Sequence, residues 1–343
     1  MPADYEKETA GFLTFDLLKA VSVEDEKIYA VVQAVKDKLD PSNLVGDELT
    51  KECLYRRGIK RKSATFSQVQ LTITGTGTVK IGDLFSTAND LKFASIETKA
   101  ITGTGTITAQ CTTAGEVGNI GANTITQIPV TIAGITGVTN LSASYDGFEE
   151  ESDESLLERY LDDVQKPATS NNRYQFEKWA RDIAGVGKVK VFSTWKGNNS
   201  VKVVIINDLM LQASASLIST VQEYIDPIDP SKWGKGYGTA GLGSYCTVAS
   251  GIAKTCNISA TITKSNNYTT AQIQDGITTA ITKYLQDIAF HETINYVAYA
   301  KISALIVGVE GVLDVSSVLI NGGVANITLG AEEVAVLGTV VIS

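Results

Sequence analysis

Between Ser63 and Gly147 the chain changes texture, and that change constrains its fold more than any single motif. Upstream, apolar residues recur at helical spacing. Inside, Thr and Gly abound, and "FSQVQLTITGTGTVKIG" runs through Val69, Leu71 and Ile73, then Gly-Thr-Gly, then Val79 and Ile81. Period-two alternation broken by glycine reads as strand, tight turn, strand. "KAITGTGTITAQCTT" repeats the device around Gly103 and Gly105. Downstream, helical and strand periods alternate. A chain that switches period twice needs more than one core. The reading is a multi-domain α+β protein: a helical N-terminal arm (1–62), a small all-β domain (63–148) and a C-terminal αβ region in two segments, 149–232 and 233–343.

The arm carries its own signal. In "EDEKIYAVVQAVKDKLDP", Ile28, Val31, Val32, Val35 and Leu39 form one stripe, and Pro41 stops the helix. A second helix, "GDELTKECLYRRGI", ends at Gly58. An isolated arm with one apolar stripe must bury it against something. These five residues are therefore the candidate partner interface.

The αβ region opens on "SDESLLERYLDDV", with Ser152 as N-cap, followed by "RYQFEKWARDIAG" with Phe176, Trp179, Ala180 and Ile183 on one face. Strands in "KVKVF" and "SVKVVIIN" join through Gly197, Asn198 and Asn199, a hairpin composition. A helix with Leu217, Val221 and Ile225 ends before Pro227, and a later one carries Ile273, Ile277, Ile281, Leu285 and Ile288. "IAGVGKV" (183–189) and "IVGVEGV" (306–312) share I-x-G-V-x-x-V, each between a helix end and a strand that leads into a hairpin, the second turning at Asn321–Gly323. The echo gives two similar helix–strand–strand units, by duplication or as a recurring connection. Gly185 and Gly308 are read as helix stops in the left-handed region.

Little in the chain points to chemistry. "TTAGEVGNIGANTITQIPVTIAGITGVTN" spaces Gly115, Gly118 and Gly121 evenly, but β-branched residues follow and no Gly-Lys-Ser/Thr closes the motif. A phosphate loop needs a helix N-terminus there, so Gly118 and Gly121 are read as structural glycines. The acids of "FEEESDESLLER" suit a helix start better than a convergent metal or glycosidase site. His291 is the single histidine, and no G-x-S-x-G elbow accompanies it. Cys53, Cys111, Cys246 and Cys256 lie far apart, which disfavours zinc. No catalytic residue, cofactor site or metal site is assigned. A net charge of −9 argues against nucleic acid as main partner. The basic run "KECLYRRGIKRK" is open between a solvated linker, a contact to an acidic surface and a nucleic-acid contact. The start lacks a basic-then-apolar leader, and no uncharged run is apolar enough for a membrane span; a soluble protein made in the cytoplasm is expected.

Five separated stretches then carry a resemblance. "RRGIKRKSAT", "GEVGNIGANTITQIPVTIAGITGVTN", "YDGFEEESDESLLERYL", "WARDIAGVGKVKVFSTWKGNNSVKVVIIN" and "GVLDVSSVLINGG" with "EEVAVLGTV" occur in the order found in the baseplate J-like family of contractile phage tails and tail-like bacteriocins. The loop "GTAGLGSYCTV" departs from the Ala-Pro-Ile-Gly-like approach frequent there. The resemblance implies a non-enzymatic baseplate wedge subunit. Its expected partners are a second copy of itself, a smaller wedge protein, and hub and sheath-proximal baseplate proteins. It would be assembled in the bacterial cytoplasm and reside in the virion or tail-like particle, where it passes on the contraction trigger. The rival readings are a fibre or surface adhesin, suggested by the Thr/Gly-rich β region, and a tail-associated cell-wall hydrolase using Glu and Asp.

Overall fold

The computed structural model describes residues 13–166 and 168–343. The chain forms two compact units. Residues 13–61 with Glu151–Gln165 make one, and Lys62–Glu150 with Lys166–Ser343 make the other.

The first unit is helical. Helix α1 (Leu13–Asp37) begins upstream of the stripe read from sequence. Helix α2 (Gly46–Arg57) ends at Gly58 in the left-handed conformation, φ 70°, whose amide caps the Cys53 and Leu54 carbonyls. Helix α3 (Asp153–Gln165), which the sequence pattern groups with the αβ region, belongs to this unit. Ser152 caps its first turn, accepting from the Ser155 amide at 3.2 Å. Leu44, Leu49, Cys53 and Ile59 pack with Leu156 and Tyr160 as its core. Two arginines tie it together. Arg159 makes a bidentate pair with Glu151 (2.7 and 2.8 Å) and donates to the Lys60 carbonyl. Arg61 reaches Asp153, Thr50 and the carbonyls of Gly46 and Glu151. The basic run is thus no solvated linker at Arg61, whose side chain is 12% exposed. Buried pairs with this many hydrogen bonds fix geometry more than they add net stability.

The second unit begins with a six-stranded sheet: β1 (Gln68–Val79), β2 (Leu84–Thr87), β3 (Lys92–Ser95), β4 (Lys99–Cys111), β5 (Ile125–Gln127) and β6 (Ile135–Thr139), in the order β5-β2-β3-β4-β1-β6. Buried Asn140 ties the two edges. Its side-chain oxygen accepts the Thr124 and Ile125 amides just before and at the start of β5, and its amide donates to the Gly121 and Ser142 carbonyls, all within 2.9 Å. Inside lie Val69, Leu71, Ile73, Phe85, Phe93 and Ile107. The Gly-Thr-Gly segments are not turns. They lie within continuous β1 and β4, with Gly75 opposite Gly103. In β1 they are glycine because the chain entering β6 passes at backbone distance. A Cβ on Gly75 or Gly77 would sit 2.2 Å from the Gly134 or Ala133 carbonyl oxygen, and one on Gly134 would sit 1.8 Å from that of Thr76. In β4, Gly103 is left-handed at φ 75° with open space about its Cβ position, and Gly105 faces the Ile101 side chain. The pairing of β1 with β6 shifts register there.

Two αβ halves follow. The first has α4 (Arg173–Arg181), β7 (Val186–Ser193), β8 (Ser200–Asn207), α5 (Ala215–Ile225) and β9 (Tyr245–Ser250). Strand β8 is central, antiparallel to β7 and parallel to β9. The second has β10 (Ile252–Lys264), α6 (Thr270–Ile288), β11 (Tyr296–Val297), α7 (Tyr299–Val307), β12 (Val312–Ile320), β13 (Ile327–Thr328) and β14 (Glu333–Ile342). Here β10 is central, antiparallel to β12 and parallel to β14. The halves share a pairing scheme but not a chain order, for the central strand is second in one and first in the other. Strand β12 consequently makes no hairpin with the strand after it, contrary to the sequence expectation; β14 crosses to the far side of β10. On α6, a Thr269–Gln272 capping box sets the start, and Ile273, Ile277, Ile281, Leu285 and Ile288 are all buried. Each contributes about 1.5–3 kcal/mol. The halves meet through Val204 and Ile206 of β8, packed with Ala289, Phe290 and Val334, and Lys202 pairs with Glu332 at 2.6 Å.

The echoing corners are real but offset by three residues. After α4 the amides of Asp182, Ile183 and Val186 bond the carbonyls of Lys178, Ala180 and Ile183. After α7, those of Gly308, Val309 and Val312 bond Ala304, Ile306 and Val309 in the same pattern. Gly185 (φ 87°) is therefore matched by Gly311 (φ 92°), not by Gly308, which is right-handed at φ −76°. The I-x-G-V match aligned letters that differ in structural role.

Candidate assembly surface

Helix α1 carries an apolar stripe that nothing among the described residues covers. Residues 16–40 are all exposed. Ile28, Val31, Val32, Val35 and Leu39 are 57–69% exposed; Leu39 lies just past the helix end. Leu13, Leu17 and Val21 extend the stripe toward the N-terminus, so it is longer than the sequence pattern suggested. At about 100° per residue, positions 17, 21, 24, 28, 31 and 35 share one face. The spacing alternates four and three, as in a helix-pairing seam. Glu24 is the charged member of that seam, and it pairs with Lys27 at 2.7 Å in the open. An apolar helical stripe held in water at this length is the usual mark of an interaction site.

The remaining sequence candidates are dispersed. Glu149 accepts the Glu116 amide at 2.8 Å. Glu151 is taken by Arg159, and Asp153 accepts the Gly46 amide and Arg61. Those contacts, the Gly46 amide first, hold the Asp153 carboxyl below the usual carboxylate range. The acids point in different directions, as adjacency on a helix start requires. His291 closes a local turn, its Nδ1 accepting the Thr293 and Ile294 amides. The four cysteines are buried and unbridged; burial pushes the Cys246 thiol up to about 12. Among the described residues, no group of three or more His, Cys, Asp or Glu could hold a metal ion. No described helix is long and apolar enough to cross a membrane. Of the glycines singled out, Gly118 is close-packed, since a Cβ there would lie 2.3 Å from the Ser67 hydroxyl. Gly121 faces open space.

Sequence reasoning missed the polar side chains that hold loops in place. Asp226, 1% exposed, accepts the amides of Gly234 (3.0 Å) and Cys246 (2.9 Å). Gln222, one turn earlier on α5, accepts the Val248 amide and donates to the Cys246 carbonyl. Together they satisfy the outer edge of β9, blunting it against foreign strands. Lys62 is also buried, donating to the Val186 carbonyl at 2.7 Å. The i, i+4 spacing of Gln222 and Asp226 was visible in sequence, but nothing there says that a strand edge lies beside them.

A six-stranded sheet whose edges Asn140 ties together, two αβ halves and a helical unit bearing an open apolar stripe make a modular scaffold with a candidate assembly surface. Models of three domains of baseplate J-like proteins match in order: the barrel domain at residues 68–147, the central domain at 168–250 and the C-terminal domain at 256–343. The uncharacterized protein YqbT of Bacillus subtilis is 32% identical over 98% of this chain and 92% of its own length. The phage-like element PBSX protein XkdT of the same organism is 30% identical over 96% and 90%. Baseplate protein gp47 of Escherichia phage Mu is 32% identical over 49% of this chain and 48% of its own. A chain of the anti-feeding prophage baseplate aligns over 96% of this chain and 87% of its own, with 12% identity and a TM-score of 0.38, a likeness too distant to carry weight. The chain belongs to the baseplate J-like family.

Proposed function

We propose that this chain is a non-enzymatic structural subunit of a tail baseplate, a wedge component of a contractile tail or phage-tail-like particle. The observation that carries the reading is the open stripe of α1 on a chain of baseplate J-like family. The stripe, Ile28, Val31, Val32, Val35 and Leu39 included, docks on partner helices, where burying it supplies affinity. The β domain (63–148) serves as spacer, and the two αβ halves, 168–250 and 252–343, contact a second copy. A smaller wedge protein, the hub and sheath-proximal proteins complete the ring; nucleic acid and membrane take no part. The chain is assembled in the bacterial cytoplasm and then resides in the particle, passing the contraction trigger on by rigid-body rotation at its interfaces.

Co-expression with the neighbouring tail proteins tests this. Removing residues 1–39 should abolish the wedge complex in mass photometry while residues 63–343 stay folded. An undiminished complex would sink the reading. A clearing of purified cell wall by the chain would favour the hydrolase instead.

A further inference from the structure

We infer that the contact between the two αβ halves is a strained joint with a second arrangement, in which the halves part about Gly251 and two turns relax. Ten described residues other than glycine have positive φ. Eight have short polar side chains, six of them Asp or Asn, the types enriched in that region. The other two, Met210 (φ 58°) and Phe290 (φ 51°), are large and apolar, and for such residues the conformation is strained. Both lie in the one small cluster through which the halves meet.

Each stands where a turn calls for glycine. The His291 amide bonds the Ile288 carbonyl at 3.1 Å, and Ala289 between them has φ −60° and ψ 123°. That is a type II turn, whose next residue is normally Gly or Asn; here it is Phe290. At the end of β8 the Met210 amide bonds the Asn207 carbonyl, and the Asn207 amide bonds that of Leu211, both at 2.9 Å. This is the pattern of a three-residue hairpin loop, with its last residue left-handed and usually glycine.

The constraint is reciprocal. Phe290 follows α6 of the second half and packs with Val204 and Ile206 of the first. Its ring lies over Gly251, the residue between β9 and β10, where a Cβ would meet it at 3.2 Å. Met210 belongs to the first half and packs on the same cluster, while the neighbouring Leu209 carbonyl accepts Gln286 of α6 at 3.2 Å. Each strained turn is thus held by the opposite half. Two lysines of the first half reach across as well. Lys202 pairs with Glu332 at 2.6 Å, and Lys190 donates to the Ala331 carbonyl at 3.3 Å with its ammonium 4.8 Å from the Phe290 ring centroid. Once the contact opens, a flip of the Ala289–Phe290 peptide converts the turn to type I and returns Phe290 to a φ of about −90°. Strain of this kind persists only where the surroundings over-determine it, and it gathers at elements with two arrangements. The joint is a property of the chain alone and stands apart from the assembly role proposed above.

The test measures the distance between the halves in the full chain. Spin labels are placed on cysteines introduced at exposed Glu223 of α5 and Lys283 of α6; the four native cysteines are buried and stay unlabelled. Pulsed dipolar spectroscopy should show a second distance whose population rises about tenfold in Lys202→Met, which loses its bond to Glu332. Paired substitutions then separate strain from packing. Phe290→Ala and Phe290→Gly both lose the ring, but only glycine is at ease in the left-handed region. The ratio of closed to open should be about fivefold or more higher in the glycine member. Met210→Ala and Met210→Gly should fall in the same order, and they decide the matter if loss of the Phe290 ring unfolds the chain, since Met210 is only half-buried. A single distance common to wild type and Lys202→Met overturns the inference. So does an equal ratio in the two Met210 variants.

Discussion

The Phe148 ring occupies the place where a side chain on Gly185 would have to begin: a Cβ there would lie 2.7 Å from the ring edge. Gly185 is also left-handed, at φ 87°. Gly185→Val should therefore cost about 2–4 kcal/mol, combining backbone strain with overpacking. Gly311→Val should behave alike, for its Cβ would meet the Tyr268 ring at 2.6 Å. Gly308→Ala should stay within about 0.5 kcal/mol, because that residue is right-handed and meets only ordinary contacts at 3.4 Å and beyond. Urea unfolding of the three variants checks the order. Equal losses at Gly308 and Gly311 would refute the offset equivalence of the two corners.

Lys62 fixes the same corner from the other side, through the Val186 carbonyl. Lys62→Met keeps the stem's packing and leaves that buried acceptor without its ammonium partner. The expected loss is about 1–3 kcal/mol. Lys60→Met, at an exposed position, should change stability by less than about 0.5 kcal/mol. Thermal melts of the pair decide it: similar midpoints would mean the buried lysine is not holding the corner.

How far the sequence discloses this molecule can be judged from particular elements. Helix α6 was legible because five apolar residues at helical spacing are an intrinsic signal and all five are buried. The hairpin between β7 and β8 was legible through Gly197 and Asn199, both with positive φ. The Gly-Thr-Gly segments misled, since glycine serves tight turns and close strand crossings equally. In β1 only the approach of β6, some sixty residues downstream in sequence, distinguishes them. The α1 stripe was legible as a pattern, and its exposure is what makes it a candidate surface. The buried anchors Lys62, Arg159 and Asp226 were hidden, because a charged letter carries no record of its burial.

Acid should act on Asp153 and Asp226 with opposite sign. Asp153 has a depressed native pKa, so its contribution is fully present above the unfolded value, about 3.9, and is lost as pH falls through the native one. Burial raises the Asp226 carboxyl against the pull of the Cys246 and Gly234 amides. Its charged form is the penalised one, and the fold regains stability as pH drops through the raised value toward the unfolded one. The destabilisation caused by Asp153→Asn should accordingly be largest at neutral pH and vanish well below pH ~4. Denaturant midpoints at several pH values check this; a gap that widens in acid would reverse the sign. Asp226→Ala should cost about 2–4 kcal/mol by orphaning two buried amides. Hydrogen exchange should then show Gly234 and Cys246 losing protection.

The barrel offers the sharpest contrast between two glycines of one stretch. Gly134 is left-handed (φ 79°), and its Cβ would sit 1.8 Å from the Thr76 carbonyl oxygen, a backbone atom that cannot swing aside. Gly121, thirteen residues earlier, has open space around its Cβ position and does not have a positive φ. Gly134→Ala must therefore push β6 off β1, disturbing the pairing that runs from Ile135 to Thr139. Strain of the backbone and loss of ladder bonds should together cost at least about 3 kcal/mol. Gly121→Ala should stay within about 0.5 kcal/mol. Amide exchange locates the effect: the Gly134 variant should lose protection along β1 and β6 first, with α6 keeping its own. If Gly121→Ala proves the more damaging change, the even glycine spacing matters for a reason other than backbone crossing, and this account of the barrel is wrong.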